Sequence, residues 1–382
     1  MAPEAHLVRF LQELWTRPRG ERGLAERLVS ALFKPLSIAY GALQTLRRRL
    51  FRAGILHSRR APAKVVSIGG LRVGGVAKTP FAIWLARGLE TRGLRAAVLT
   101  RGYGRRTRGG THILCPGDAD QWNPLDCGDE PYLMARSLPR TPIVVDSDRF
   151  RGAESVRRRF PLDLLLLDDG FQHLRLARDC DLVMLTGEEL VPGACCLPAG
   201  PLREPASALA AADALILLEA AGTQAPAELT AGGRPEPATR APLFRARLRP
   251  AGLFAVADRR PVEAARLAGQ PIIAFCGIAR PASFWGMLEQ AGLRPAARRA
   301  FPDHHRYSLR DLEELLDLVS RTGSAAAVTT EKDAVKIERF PWPAGRLLFL
   351  RVEVALPDEE RFWAHLLAGV GLAGEDRQGR LR

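Results

Sequence analysis

A glycine-containing segment followed by lysine and threonine is where this 382-residue sequence most clearly predicts chemistry. Residues 67–80 read SIGGLRVGGVAKTP. In a phosphate-binding loop, backbone N–H groups and the N-terminus of the next helix face the anion, lysine meets the outer phosphates, and the threonine hydroxyl ligates magnesium. The loop predicted to bind the phosphates consists of Val73, Gly74, Gly75, Val76, Ala77, Lys78 and Thr79.

The segment departs twice from the strict pattern G-x-x-x-x-G-K-[ST]. With Lys78 in the lysine position, Arg72 and Ala77 occupy the two glycine positions. A positive φ at Ala77 costs an alanine roughly 1 kcal/mol or somewhat more. For this segment alone, an ordinary turn between a strand and a helix remains the alternative.

An acidic pair follows a run of leucines, and its presence favours the phosphate-binding loop over an ordinary turn. Residues 162–173 read LDLLLLDDGFQH, in which four consecutive leucines indicate a strand buried on both faces. Carboxylates at its C-terminal end lie where open α/β sheets bind ligands. Since crowded carboxylates are stabilised by a cation, Asp168 and Asp169 are predicted to form a magnesium-binding Walker B element. The alternative is a helix cap and a turn aspartate.

Two further groups of residues could move protons. Asp129 and Glu130 open a predicted helix at the same edge of the sheet, where Asp129 could take a proton from a substrate hydroxyl. The alternative is that both carboxylates only stabilise the N-terminus of the helix through its dipole. Asp303, His304 and His305 place an acid and two histidines far along the chain, as an acid/base pair or a metal site.

Short apolar runs alternate with helical patterns from Lys64 onward, which predicts a mostly parallel α/β sheet covered on both faces. The predicted strands are 64–68, 95–100, 142–145, 162–167, 181–185, 271–275, 325–329 and 346–354. The predicted helices are 79–91, 129–138, 148–160, 281–291 and 308–320. Residues 220–242 are rich in Ala, Gly, Pro and Thr and are predicted to form a linker or long loop between two α/β domains.

Residues 24–60 form an amphipathic, basic segment. Leu24, Leu28, Leu32 and Leu36 recur every fourth residue, and the pattern predicts an interruption or kink at Lys34-Pro35. The uncharged stretch 35–46 is too short to span a bilayer. The arginines after it favour an anionic membrane surface, while packing on the protein's own core is the alternative.

The net charge of +14 also raises the possibility of a nucleic-acid partner. No nucleic-acid-binding motif is present, so we expect none. The six cysteines lack the paired C-x-x-C spacing of a zinc site and are predicted to be free thiols.

The motifs together resemble the tetraacyldisaccharide 4′-kinases of lipid A biosynthesis, over residues 64–354. The resemblance is carried by VGG with KTP (73–75, 78–80), RGYG (101–104), GDEP (128–131), DDGFQH (168–173), LPAGPLRE (197–204), FCGI (275–278), DHH (303–305) and TTEKDA (329–334). The family's loop also lacks the first glycine, but it normally keeps the glycine that Ala77 replaces here.

The resemblance implies ATP- and Mg²⁺-dependent phosphorylation of the 4′-hydroxyl of a tetraacyldisaccharide 1-phosphate. It implies that Lys78 and Thr79 hold phosphates and magnesium, with Asp168 and Asp169 completing the metal site. Asp129 is the base, with His304 as its partner in a dyad. Arg203 neutralises charge on the γ-phosphate, and Glu130, His173 and Asp303 line or support the site.

The implied architecture is a P-loop type α/β/α sandwich with a second, smaller α/β domain. We expect an amphipathic membrane-associating helix in residues 1–60, a nucleotide-binding domain in 61–225 and an α/β domain closing the cleft in 226–382. The expected protein is a monomer bound peripherally to the cytoplasmic face of the inner membrane. A phosphate-loop switch or chaperone without catalytic activity is the alternative function.

Overall fold

One large sheet runs through the molecule. The computed structural model describes residues 15, 23–106, 109–190, 194–219, 239–267, 269–343 and 345–373. Within them, thirteen strands form a sheet with the order β11-β10-β12-β13-β8-β7-β6-β1-β5-β2-β4-β3, and β9 pairs with β8. The first seven strands are β1 (Lys64–Gly70), β2 (Ala96–Thr100), β3 (His112–Leu114), β4 (Ile143–Val145), β5 (Leu164–Asp168), β6 (Cys180–Leu185) and β7 (Ala214–Glu219). The others are β8 (Leu243–Ala255), β9 (Pro261–Val262), β10 (Ile272–Cys276), β11 (Pro295–Ala300), β12 (Ala326–Thr330) and β13 (Leu347–Ala355).

The pairing is parallel except where β3 meets β4 and where β8 meets β9 and β13. The central strands are apolar on both faces, and the four leucines of β5 are fully buried, as expected for the middle of a parallel sheet. The mixed α/β class predicted from the sequence is therefore confirmed.

Helices cover both faces of the sheet. Those in the described residues are α1 (Leu24–Arg52), α2 (Lys78–Thr91), α3 (Pro124–Cys127), α4 (Asp129–Ser137), α5 (Arg149–Arg159), α6 (Pro281–Gln290), α7 (Leu309–Arg321), α8 (Glu331–Ile337) and α9 (Glu359–Gly369). Each predicted strand and helix is present, with ends that differ by at most two residues. A helix restart at Lys34-Pro35 is ruled out, because α1 continues through Pro35, and a kink there stays a prediction.

Strand β8 joins the two halves of the sheet. Its first residues pair in parallel with β7, and the residues from Arg247 onward pair antiparallel with β13. The predicted linker at 220–242 lies mostly outside the described residues, since the description stops at 219 and resumes at 239. The predicted domain boundaries remain a proposal.

Candidate active site

The predicted phosphate loop connects β1 to α2. Strand β1 ends at Gly70, and α2 begins at Lys78, so Lys78 and Thr79 lie in the first turn of the helix. The loop is held from outside by residues 201–203, because the Val73 N–H donates to the Pro201 carbonyl (2.8 Å) and the Arg203 N–H donates to the Leu71 carbonyl (2.6 Å). This is the strand-loop-helix geometry in which a helix N-terminus can receive an anion.

Ala77 adopts the left-handed conformation that the missing glycine predicted. Its φ is 53° and its ψ is 32°, directly before the first residue of α2. For a residue with a Cβ, this conformation costs about 1 to 2 kcal/mol. The loop therefore keeps the backbone path of a glycine-containing loop in spite of the alanine.

We predict that Ala77→Gly stabilises the protein by about 1 kcal/mol, because relief of the strain outweighs the greater entropy of glycine in the unfolded chain. Urea unfolding measures the change. The matched control is Ala42→Gly in the exposed face of α1, where the same replacement should destabilise by about 1 kcal/mol. Loss of stability in both variants would contradict the prediction.

The acidic pair meets the loop at adjacent strands. Strands β1 and β5 are neighbours, with Ile68 opposite Asp168. Asp169 has a φ of 50° and binds two cations: the Lys78 ammonium, and Arg203, whose Nη1 donates to Oδ2 at 2.7 Å. Asp168 is buried and accepts a hydrogen bond from the Thr100 hydroxyl (3.0 Å). Lys78, Arg203 and both carboxylates thus converge at one edge of the sheet.

Their electrostatics differ. Burial and the charges of Glu130 and Asp169 raise the pKa of Asp168 to about 7. Burial acts in the same direction on Asp169, but Lys78 and Arg203 outweigh it and hold the pKa of Asp169 far below its usual range. Because ionisation of the buried Asp168 is costly, a cation bound beside it would stabilise its charged form. Carboxylate oxygens are also the donors that Mg²⁺ prefers.

No group of three or more His, Cys, Asp or Glu side chains placed to hold a metal occurs among the described residues. Magnesium is usually bound by one or two carboxylates together with substrate phosphates. The residues that could hold it are Thr79, Asp168 and Asp169.

Asp129 and His304 come together from opposite halves of the sheet. Asp129 is the first residue of α4, and Gly128 before it (φ 99°) lies where a Cβ would meet the Tyr103 carbonyl oxygen at 3.0 Å. His304 lies in the loop after β11 with a φ of 57°, and its Nδ1 is 3.1 Å from Asp129 Oδ2. The hydrogen bond from His304 and the charge of Lys336 outweigh burial and lower the pKa of Asp129.

The other two residues of the DHH motif, Asp303 and His305, make contacts that hold the loop after β11. His305 contacts Asp311 of α7 through Nε2 (3.2 Å) and stacks on Phe301, so it turns away from Asp129. Asp303 accepts the backbone N–H of His304 at 3.0 Å. The carboxylate on the imidazole of His304 is therefore Asp129 and not the neighbouring Asp303.

Lys332 of α8 completes this cluster, and the sequence reasoning assigned it no role. Its ammonium lies 3.1 Å from His304 Nε2, 3.3 Å from Glu130 Oε1 and 3.4 Å from Asp303 Oδ1. The only signal in the sequence was its place in the TTEKDA motif. Glu130 thus faces Lys332, on the same helix end as Asp129.

His173 lies apart from these contacts, at a basic cavity beside α1. The cavity has a volume of about 520 Å³, and its lining consists of Arg47, Phe51, Leu56, His57, Arg59, His173 and Arg175. Burial and the charges of Arg149 and Arg178 lower the pKa of His173 to about 4. The imidazole is therefore neutral at neutral pH.

Arg72, the other departure from the strict loop pattern, is buried and binds Glu188. The second oxygen of Glu188 accepts from Arg280 at 2.8 Å, in the loop just before α6. Glu188 therefore links the phosphate loop to the second half of the sheet. Because this role depends on a carboxylate remote in sequence, no local pattern predicted it.

Helix α1 has two distinct faces. On one, the Ser37 hydroxyl donates to the Cys196 carbonyl (2.8 Å), and Arg48 pairs with Glu204 (2.8 Å). On the other, Leu24 and Leu32 are each 77% exposed, and Leu28 and Leu36 continue the stripe. Arg48 thus fixes the helix to the body rather than facing outward. No helix in the described part of the chain combines the length and apolarity needed to cross a bilayer.

The cysteine prediction is confirmed: all six cysteines lie in the described residues and are free thiols.

The sheet, the loop at its edge and the converging carboxylates have the geometry of a phosphate-loop nucleotide-binding protein, which receives phosphates at one edge of a parallel sheet. Comparison with known proteins identifies the family. The family model "Tetraacyldisaccharide-1-P 4'-kinase" (LpxK) matches residues 29–370, and the chain belongs to this family.

Individual relatives agree. The tetraacyldisaccharide 4′-kinase of Pelobacter propionicus is 36% identical over 88% of this chain and 91% of its own. That of Anaeromyxobacter sp. strain K is 39% identical over 91% of each chain. The crystal structure of LpxK from Aquifex aeolicus in complex with ATP superimposes with a TM-score of 0.72, at 30% identity, covering 90% of this chain and 99% of the other.

Proposed function

We propose that this chain carries out its family's reaction: transfer of the γ-phosphoryl group of ATP to the 4′-hydroxyl of tetraacyldisaccharide 1-phosphate, in lipid A biosynthesis. The observation that carries the proposal is the convergence of Lys78, Arg203 and the acidic pair at the end of β5. Asp129 and His304 supply an acid/base pair at the same edge of the sheet.

Residues of the phosphate loop bind and orient the nucleotide in this proposal. The backbone of residues 73–79 and the N-terminus of α2 receive the β- and γ-phosphates, and Lys78 neutralises their charge. Arg203 stabilises the charge on the transferred group in this proposal. Because phosphoryl transfer depends mainly on positioning and electrostatics, these groups supply most of the catalysis.

Asp129 is the proposed base. Its lowered pKa keeps it ionised at neutral pH, and it accepts the proton of the 4′-hydroxyl as that oxygen attacks. His304 orients the carboxylate through Nδ1. Thr79, Asp168 and Asp169 are the proposed magnesium ligands; when bound, the ion neutralises charge on the phosphates of ATP.

The basic cavity lined by Arg47, Arg59 and Arg175 supports an anionic substrate close to α1. Its three arginines can pair with a sugar phosphate, and Phe51 and Leu56 give the same lining an apolar part. We propose that the phosphorylated sugar enters from this side.

The direct test incubates the protein with γ-labelled ATP, magnesium and tetraacyldisaccharide 1-phosphate. The expected result is label in the lipid, at the 4′ position. Hydrolysis of ATP with no label in the lipid would instead support a nucleotide switch without kinase activity.

We further propose that α1 docks the enzyme on the cytoplasmic face of the inner membrane as a peripheral, monomeric protein. The exposed leucine stripe supports this, as do the exposed Arg49 and Arg52 near the end of the helix. Acyl chains of the substrate remain in the bilayer, so the active site has to work at its surface.

We predict that the double variant Leu28→Asp, Leu32→Asp lowers binding to vesicles containing anionic lipid by at least about tenfold. Each leucine loses roughly 1.5 to 3 kcal/mol of apolar burial and gains a charge that anionic lipid repels. Vesicle sedimentation measures the binding. Leu309→Asp, an equally exposed leucine on α7, is the control and should bind as the wild type does. Equal binding by all three proteins would exclude α1 as the docking element.

A further inference from the structure

Lys332 reaches the proposed acid/base pair from the second half of the sheet. It lies in the first turn of α8, and its side chain is about four-fifths buried. Its ammonium contacts His304 Nε2 (3.1 Å), Glu130 (3.3 Å) and Asp303 (3.4 Å). Since His304 Nδ1 faces Asp129, both ring nitrogens of this histidine are occupied.

The Asp129 carboxylate at Nδ1 and the Lys332 ammonium at Nε2 together determine which nitrogen of His304 carries the proton. Burial lowers the pKa of Lys332, but Glu130, Asp303 and Asp129 outweigh it and raise the pKa, so the side chain is an ammonium at neutral pH. An ammonium has three donors and no acceptor. His304 Nε2 must therefore accept, and the ring proton must lie on Nδ1, which donates to Asp129.

We propose that Lys332 is a positioning residue: its ammonium donates to Nε2, opposes a second proton there, and holds His304 in the tautomer that donates to Asp129. A second ring proton would lie on Nε2 and point at the ammonium 3.1 Å away. An imidazolium would in turn bind the Asp129 carboxylate as an ion pair and reduce its basicity. This inference rests on the proposed function of Asp129 as the base.

Charged groups of both signs surround the ring. Asp129 and Glu130 of α4 favour a charged imidazole, with Glu130 Oε1 at 4.0 Å from Nε2. Lys336 lies 3.8 Å from Asp129 Oδ2, and the ring of Tyr103 packs beside the imidazole. Asp303 Oδ1 lies 3.4 Å from the Lys332 ammonium. Of the two lysines, Lys332 touches the ring itself, and so opposes its protonation most directly.

The kinetic test is the pH profile of kcat/KM for the lipid substrate. In Lys332→Met, the acid limb should move to higher pH by about one unit, because His304 becomes protonated more readily without the neighbouring charge. Lys332→Arg keeps the charge and should keep the limb at its wild-type position whatever its kcat. Lys64→Met, at an exposed lysine paired with Asp179, is the matched control and should leave the profile unchanged.

A spectroscopic test does not depend on turnover. In ¹⁵N NMR of the wild-type protein at about pH 8, His304 should show a protonated Nδ1 and an unprotonated Nε2, with its signals assigned by their loss in His304→Gln. In Lys332→Met, protonation of Nε2 should begin at a higher pH than in the wild-type protein.

A wild-type His304 with its proton on Nε2 would overturn the proposal, even if Lys332→Met failed to fold. So would a Lys332→Met enzyme that loses kcat while its acid limb stays in place, since that pattern indicates a merely structural lysine. Failure of the wild-type protein to phosphorylate the lipid would instead refute the function proposed for the site, and the NMR result would still decide the role of Lys332.

Discussion

Replacing Asp129 by asparagine is expected to lower kcat for lipid phosphorylation by roughly 10² to 10⁴-fold, the usual contribution of a general base. Asparagine has the shape of aspartate and can still accept the hydrogen bond from His304 Nδ1. It cannot take the proton of the attacking hydroxyl. The measurement is steady-state transfer of labelled phosphate from ATP to the tetraacyldisaccharide at saturating concentrations of both substrates.

Binding of ATP separates loss of chemistry from loss of structure in this variant. Asp129 lies on α4 and Lys78 on α2, so Kd for ATP should stay within about twofold of the wild-type value. Because the fold lowers the pKa of Asp129, the stability that its charge contributes is present above about pH 4 and is lost as the pH falls further. Transfer by Asp129→Asn at the wild-type rate would exclude Asp129 as the base.

Replacing Lys78 by methionine should reduce kcat/KM for ATP by about 10³-fold, since one charged donor to the phosphates is lost. A second effect of the substitution also lowers kcat/KM for ATP. Lys78 is the foremost cause of the lowered pKa of Asp169, and without it the crowded Asp168 and Asp169 carboxylates repel each other more strongly. Initial rates at varied ATP concentration measure the loss.

Lys64→Met makes the same chemical change at the start of β1, where Lys64 is exposed and pairs with Asp179. It should retain full activity. If Lys78→Met kept more than about a tenth of wild-type kcat/KM, the segment before α2 would not be the phosphate-binding loop.

Local sequence patterns predicted the elements on which the site is built. The leucine run before Asp168 indicated a buried strand, and the glycines before Lys78 indicated a turn into a helix. Parallel strands then placed both ends at one edge. Even the strained φ of Ala77 followed from its place in the loop pattern.

Contacts between residues that are remote in the sequence could not be predicted from local patterns. Asp129 and His304 are separated by 175 positions, and no local pattern in either segment predicts their contact. Family resemblance paired them, but it did not indicate that Lys332 occupies the other ring nitrogen. The run of α1 through Pro35 was missed because contacts beyond the proline, at Ser37 and Arg48, anchor the helix to the body.

The shared strand β8 limits how the gene can be divided. A fragment ending before Leu243 would leave β7 as an open edge, with unpaired N–H and C=O groups that can recruit another chain and aggregate. Extending the fragment through Ala255 covers β7 but takes from β13 its antiparallel neighbour. The half that carries Lys78 and the half that carries His304 therefore cannot be expressed apart without exposing a sheet edge in one of them.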